Sequence, residues 1–257
     1  MKFFLNFFLV IIFITLTHKV SAFSSVSNLK KYEIPVLVYH SIGSAPKIKE
    51  TKMQTNYRVT TENFEKQMQY LKDNDYHPIT FKKYVNSFKN YVMVLPSRAV
   101  VISFDDGWKN QFDNAVPILE KYNFPATFFI VSDYVNYKAY MSWDDLKYLA
   151  THNFEIGSHT KGHQMLTKVD SNLLVYELSE SKKILEEKLG LKITTLAYPN
   201  YKENEIVHNS VKSVGYFGAR GGWGNFKNDI DHIYELKSQE VVSNPNPFSQ
   251  KRLPDLP

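Results

Sequence analysis

Short apolar runs alternate with amphipathic segments of helical length along most of this chain of 257 residues. Residues 34–39 (IPVLVY) and 99–104 (AVVISF) are such runs, and the segments between runs carry apolar residues at helical spacing. Because parallel strands need a long crossover, usually a helix, the alternation predicts βαβ units and a mostly parallel sheet. We therefore expect an α/β fold. Six or seven units fit a closed or nearly closed barrel, although an open doubly wound sheet has the same pattern.

Capping residues and periodicity place the predicted elements. Helices should begin after Thr60, near Thr80 and at Ser142, where Asp145 completes the spacing of a capping box. The predicted strands are residues 34–39, 99–104, 126–131, 154–157, 193–198 and 216–219. With 43% hydrophobic residues the chain can bury one substantial core, so we expect a single domain.

The first 22 residues resemble an export signal. They combine a lysine at the start, an apolar run over residues 3–16 and a small-residue sequence that ends at Ala22. The run is shorter than the roughly 20 residues of a spanning helix. We expect residues 1–22 to be a signal peptide cleaved after Ala22, with export to the periplasm, cell surface or medium. A retained membrane anchor is the alternative.

Composition excludes several classes of site. The chain has no cysteine, so a disulfide framework and a thiolate metal site are both impossible. The formal charge of +5 comes from scattered lysine and arginine residues, which argues against a nucleic-acid partner. Residues 243–257 contain four prolines and are expected to form a loosely attached C-terminal tail.

Polar residues follow several of the predicted strands. They are His40, Asp105 and Asp106, Ser158 and His159, and Tyr198 and Asn200. Since the carboxyl ends of parallel strands open on one side of a sheet, where ligand sites form, we expect these side chains to meet at one mouth.

The neighbouring carboxylates of Asp105 and Asp106 need a compensating cation if both are ionised. His159 and His163, at i and i+4, would lie on one side of a helical turn and could bind one ion. Two imidazoles and the Asp106 carboxylate supply three metal ligands, which leaves Asp105 as an ionised base. The alternatives are an Asp-Gly turn at residues 105–107 and two surface histidines.

Three segments resemble, in order and spacing, the metal-dependent polysaccharide deacetylases of carbohydrate esterase family 4. They are FDDG at residues 104–107, SHTKGH at 158–163 and LAYP at 196–199. The opening PVLVYHSI, residues 35–42, resembles the branch that deacetylates poly-β-1,6-N-acetyl-D-glucosamine. The resemblance extends from about residue 35 to 219.

The resemblance implies a distorted (β/α) barrel, here a deacetylase domain over residues 23–242. It further implies that Asp106, His159 and His163 hold a divalent metal, for which we expect Zn²⁺, with Co²⁺, Ni²⁺ or Fe²⁺ also compatible with these ligands. By the same resemblance, Asp105 is the general base.

The same resemblance assigns the remaining catalytic groups. His40 would be the general acid, as in the poly-N-acetylglucosamine branch, and the backbone N–H of Asn200 would stabilise the oxyanion. An arginine that orients the base in many relatives is missing, since Ala197 and Tyr198 stand there. Arg220 could replace it, or could be an ordinary exposed arginine.

The predicted substrate contacts are Tyr198, Arg220 and Trp223. We expect an exported N-deacetylase that releases acetate from poly-β-1,6-N-acetyl-D-glucosamine, a monomer whose partner is this polysaccharide, with peripheral association at a membrane or cell surface. The alternatives are deacetylation of peptidoglycan or chitin-type glycans and an inactive glycan-binding module. A non-haem iron oxygenase also uses two histidines and one carboxylate, but the second adjacent aspartate and the βα pattern argue against it.

Overall fold

The computed structural model describes residues 32–44, 57–90, 93–224 and 227–242. The predicted signal peptide, residues 1–22, and the predicted tail, residues 243–257, lie outside these ranges. Within the described ranges, no helix is both long enough and apolar enough to cross a membrane.

The strands and helices follow one another in alternation from β5 to β10. The strands are β1 (Tyr32–Glu33), β2 (Val36–Tyr39), β3 (Ser41–Ile42), β4 (Arg58–Val59), β5 (His77–Ile79), β6 (Ala99–Phe104), β7 (Thr127–Ile130), β8 (Glu155–Ser158), β9 (Thr195–Ala197), β10 (Gly218–Trp223), β11 (Lys227–Asn228) and β12 (Leu236–Glu240). The α-helices are α1 (Thr61–Asp73), α2 (Phe81–Lys89), α3 (Lys109–Asn114), α4 (Val116–Tyr122), α5 (Trp143–Thr151), α6 (Ser171–Leu189) and α7 (Glu205–Val214).

Seven parallel strands of the described chain close into a distorted barrel in a single α/β domain. Their order is β2-β12-β10-β9-β8-β7-β6, and β6 pairs back with β2 from Val36↔Val101 to Tyr39↔Phe104. β5 is an additional parallel partner of β6. The predicted α/β barrel is therefore confirmed, and closure through β2 and β6 rules out the open doubly wound sheet.

Strand β6 illustrates how the barrel is packed. All six of its residues are buried. Val100 and Ile102 join the apolar cluster shared with the covering helices, whereas Ala99 and Val101 join a second cluster with β2, β5, β7, β9, β12 and α2. Successive side chains of a strand point to opposite faces, so the second cluster fills the inside of the ring. This two-sided burial explains why β6 reads as a continuous apolar run.

The predicted helix starts agree with the structure. The side chains of Thr60 and Thr80 cap α1 and α2, and Ser142 and Asp145 form the capping box of α5. Strands β5 and β12 were not predicted, because β5 is short and contains a proline and β12 mixes polar with apolar residues.

The strand predicted at residues 216–219 instead covers Gly218–Trp223. Gly215 ends α7 with a positive φ of 91°, and the Tyr216 N–H donates to the Val211 carbonyl of that helix. Residue 216 therefore belongs to the exit of α7, which delays the start of β10.

Candidate active site

A cavity of about 820 Å³ lies at the carboxyl ends of the barrel strands. Its walls include His40, Asp105, Asp106, His159, His163, Tyr198 and Asn200. The parallel sheet thus brings to one mouth the residues that follow β2, β6, β8 and β9, as the sequence predicted.

Asp106, His159 and His163 form a compact set of metal-binding side chains. Asp106 Oδ1 lies 3.5 Å from His159 Nε2 and 3.3 Å from His163 Nε2, and one ligand atom from each residue lies within 4.8 Å of the others. His159 Nδ1 donates to the Ala197 carbonyl at 2.8 Å, which leaves the Nε2 lone pair facing Asp106. The arrangement therefore offers two imidazole nitrogens and one carboxylate to a single ion.

The two histidines do not lie on a helical turn, contrary to the prediction. Residues 159–163 form an irregular loop in which Thr160 and His163 have positive φ values of 66° and 59°. The His163 N–H donates to Thr160 Oγ1 at 3.1 Å, so the loop folds back and returns the second imidazole to the first. Asp106 also has a positive φ, 74°. Such conformations cost about 1–3 kcal/mol each and concentrate at functional sites.

The second carboxylate of the pair, Asp105, has its own cation. Arg220 Nη2 donates to both carboxylate oxygens of Asp105, at 2.5 Å to Oδ2. Both side chains are buried, with exposures of 2% for Asp105 and 0% for Arg220. Burial raises the pKa of Asp105, but the Arg220 guanidinium and the nearby His159 outweigh it and leave that pKa below its usual value. Asp105 is thus held as a carboxylate beside the candidate metal ligands.

Arg220 differs from both of its predicted surroundings, substrate contact and exposed surface. It is fully buried behind Asp105, where its guanidinium lies between the rings of Phe129 (5.2 Å) and Tyr201 (5.6 Å) and Nη1 donates to Ser238 Oγ. It is not a wall of the cavity, so it cannot contact a sugar there. Its geometry fits the replacement of the missing base-orienting arginine.

His40 is paired with a residue that sequence reasoning missed. Its Nδ1 lies 3.1 Å from Glu240 Oε1, and the Glu240 side chain is only 3% exposed. Burial lowers the pKa of His40, but the contact with Glu240 and the charges of Asp105 and Asp106 outweigh burial, so the pKa is raised. The imidazole is therefore biased toward the protonated form. The parallel register of Glu240 with Val38 brings the pair together, which no local motif in the sequence signals.

The segment after β9 forms part of the wall in an unusual conformation. Asn200 and Tyr201 both have positive φ values, 55° and 56°, within the short turn Pro199–Tyr201. Tyr198 lines the cavity, but its hydroxyl donates to the Tyr234 carbonyl at 2.8 Å. Its polar atom is thus already used by the fold.

The tryptophans are distributed differently from the prediction. Trp223 is 64% exposed and lies outside the cavity wall. Trp108, which was not among the predicted substrate contacts, lines the cavity. It donates from Nε1 to Asp106 Oδ2 at 2.8 Å and stacks on Tyr140 with ring centres 4.3 Å apart. Its position two residues after Asp106 was the available signal.

The donor set fits a divalent metal. Burial raises the pKa of Asp106, but its contacts with His159 and His163 hold it well below the usual value, so the carboxylate is ionised and available as a ligand. Imidazole and carboxylate ligands suit zinc and other first-row metals.

A second group of residues has similar chemistry. Glu203 Oε2 lies 3.1 Å from His208 Nε2, and Glu235 completes a set within ligand distance. Lys237 Nζ lies 3.6 Å from Glu203 and 3.3 Å from Glu235. A lysine ammonium therefore already lies beside both carboxylates and compensates one of their two charges, and His208 has a carboxylate partner in Glu203.

Comparison with known proteins gives concordant similarities. The family model described as polysaccharide deacetylase matches residues 94–219. YxkH of Bacillus subtilis, a protein assigned to the polysaccharide deacetylases, is 29% identical over 187 residues, which cover 73% of this chain and 63% of YxkH. A poly-β-1,6-N-acetyl-D-glucosamine N-deacetylase of Staphylococcus aureus is 29% identical over 212 residues, covering 77% of this chain and 68% of that protein.

The fold is also similar to that of a solved structure, the deacetylase PplD of Streptococcus pyogenes in complex with acetate. The TM-score is 0.74 at 21% sequence identity, and the match covers 86% of this chain and 97% of PplD. At this identity the similarity concerns the fold alone.

Proposed function

The chain belongs to the polysaccharide deacetylase family, and on this premise we propose that it is an exported, metal-dependent N-deacetylase that releases acetate from poly-β-1,6-N-acetyl-D-glucosamine. One observation carries the proposal. The metal-binding triad, the Asp105–Arg220 pair and the His40–Glu240 pair all border on the same cavity. A glycan-binding module has no need of a held carboxylate and a held imidazole at a metal site.

Asp106, His159 and His163 would hold a divalent metal, for which we propose zinc, and this ion would supply Lewis acidity toward the acetyl carbonyl and the attacking water. The side chains of this chain supply the proton transfers. Asp105, kept ionised and oriented by Arg220, accepts the proton of the attacking water at its carboxylate.

His40 donates the proton that the leaving amine nitrogen needs. Its contact with Glu240 favours the protonated imidazole and fixes the ring in the cavity wall. Asn200 is also in the wall, and its backbone N–H would donate to the acetyl oxygen as negative charge develops there. The products are acetate and a glucosamine unit of the polymer.

Two observations support the β-1,6-linked polymer as the substrate. The proton donor is placed by the first barrel strand, and the chain is similar to the staphylococcal enzyme over most of the described domain. We propose a monomer that acts outside the cytoplasm, where such polymers lie.

Acetate release from β-1,6- and β-1,4-linked N-acetylglucosamine oligomers tests the proposal. We expect metal-dependent release from the β-1,6 series, lost in Asp105→Asn and His40→Ala and retained in the control His77→Ala, at the start of β5. Release from β-1,4 oligomers or peptidoglycan alone would favour that substrate class instead. Binding of oligomers without release from any of them would indicate a glycan-binding module.

A further inference from the structure

Four aromatic rings form a continuous row from the metal site to the surface. Trp108 donates to the ligand Asp106 and stacks on Tyr140 at 4.3 Å. The Tyr140 ring lies 4.8 Å from that of Tyr134, and the Tyr134 ring lies 6.1 Å from that of Tyr137. Tyr137 is 59% exposed. We call Trp108, Tyr140, Tyr134 and Tyr137 the aromatic row.

The three tyrosines lie on a segment that bridges the two ligand-bearing loops. On one side, the N–H of Lys109 donates to the Ala139 carbonyl at 2.9 Å and the N–H of Met141 donates to the Gly107 carbonyl at 2.9 Å. At the other end, the N–H of Ser132 donates to the Thr160 carbonyl at 3.2 Å. The row is therefore held in a fixed position relative to the triad.

Packing of this segment does not account for the tyrosines. Val135 and Met141 already anchor it in the core, with exposures of 9% and 0%. Tyr134 and Tyr140 are only partly buried and Tyr137 is exposed, so the row leaves costly aromatic surface in contact with solvent. A ligand that covers these rings would remove that cost.

We propose that the aromatic row binds the sugar units next to the one that loses its acetyl group, so that the site takes a segment of a linear glycan and not a single sugar. Pyranose rings present C–H bonds on one face, and the electron-rich face of an aromatic ring attracts them. The row is continuous with the catalytic cavity, since Trp108 at one end of the row lines the cavity, as does Ala139, the neighbour of Tyr140 in sequence. This inference rests on the proposed function, because the glycan is its substrate.

The dependence of kcat/KM on oligomer length tests the row. We expect the wild-type chain to prefer the β-1,6 pentamer over the disaccharide, and Tyr137→Ala to lower the ratio of the two kcat/KM values about tenfold, mainly through KM of the pentamer. Tyr137→Phe keeps the ring and should keep the ratio. The control is Tyr70→Ala, a tyrosine of α1 that is 47% exposed and does not belong to the aromatic row. If Tyr137→Ala leaves the ratio of the two kcat/KM values unchanged, the proposal that the aromatic row binds the glycan is wrong.

Binding without turnover separates this proposal from the proposed function. Calorimetric titration of the metal-free chain with the β-1,6 pentamer should give an affinity that Tyr137→Ala weakens about tenfold and Tyr137→Phe preserves. If the wild-type chain releases no acetate but shows this pattern of binding, the proposed function is wrong and glycan binding by the aromatic row is supported. If it releases acetate while Tyr137→Ala binds the pentamer as the wild type does, glycan binding by the aromatic row is wrong and the proposed function is supported.

Discussion

Two groups of histidine and carboxylate side chains in this molecule have nearly the same chemistry and different surroundings. In the group of Glu203, His208 and Glu235, Lys237 lies within 3.6 Å of both carboxylates. In the triad, the described residues give Asp106 ion pairs with His159 and His163 alone, without lysine or arginine.

The comparison teaches that the position of the fixed cations, more than the ligand types, distinguishes a metal site from a salt-bridge cluster. The nearby Arg220 compensates Asp105 and leaves the Asp106 carboxylate to the imidazoles. Since neutral imidazoles do not neutralise a carboxylate, the triad retains a negative charge that a divalent ion can compensate. In the other group a lysine ammonium already lies beside both carboxylates and compensates one of their two charges.

The largest expected effect comes from breaking the triad. Asp106→Asn removes a charged ligand. Loss of a residue that only supports a ligand lowers metal affinity by up to about 100-fold, so we expect the affinity for Zn²⁺ to fall by more than that. Acetate release should fall to background. Glu235→Gln is the matched change in the other group and should alter neither. Chelator competition measures the affinity. Loss of zinc from Glu235→Gln would reverse our assignment of the two groups.

The next effect contrasts the two fixed cations. Arg220→Met leaves the Asp105 carboxylate buried without a cation, and we expect the free energy of unfolding at pH 7 to fall by about 3–5 kcal/mol. Lys237→Met removes a partly exposed partner and should cost at most about 1 kcal/mol. Urea denaturation measures both. Similar losses of unfolding free energy in the two variants would contradict the difference in surroundings. The double variant Asp105→Asn with Arg220→Met should recover part of the stability, because no buried charge is then left unpaired.

The smallest effect concerns two histidine–glutamate pairs with the same separation, 3.1 Å in His40–Glu240 and in His208–Glu203. The raised pKa of His40 keeps it protonated to higher pH, and a protonated acid is lost as pH rises through that pKa. Glu240→Gln removes the charge, so the alkaline decline of kcat/KM should move to lower pH. Glu203→Gln should leave the pH profile unchanged; a shift there as well would show that Glu240 has no specific role.

Much of this architecture could be predicted from local patterns. The apolar runs and helix caps identified most barrel strands and helix starts, because burial and capping depend on neighbouring residues in sequence. The candidate ligands Asp106, His159 and His163 could be predicted for the same reason, since two short segments contain all three. Their conformation could not, because the loop at residues 159–163 is held by hydrogen bonds that override helical spacing.

The residues that were missed, or whose role stayed open, depend on contacts between distant segments. Glu240 meets His40 only because β12 pairs with β2, and Arg220 meets Asp105 only because β10 and β6 face each other across the ring. The aromatic row likewise joins Trp108 to tyrosines of a loop that follows a different strand. Strand register decides these contacts, and composition or spacing does not encode register directly.

Closure of the barrel by β12 has a consequence for the order in which the molecule is built. A nascent chain that has emerged from the ribosome through β10 already contains the three ligands, Asp105 and Arg220. It has neither the strand that joins β10 to β2 nor the carboxylate that holds the imidazole of His40. His40, the proposed proton donor, therefore acquires its setting only when translation has delivered β12, and an incomplete polypeptide can carry the candidate ligands without the His40–Glu240 pair.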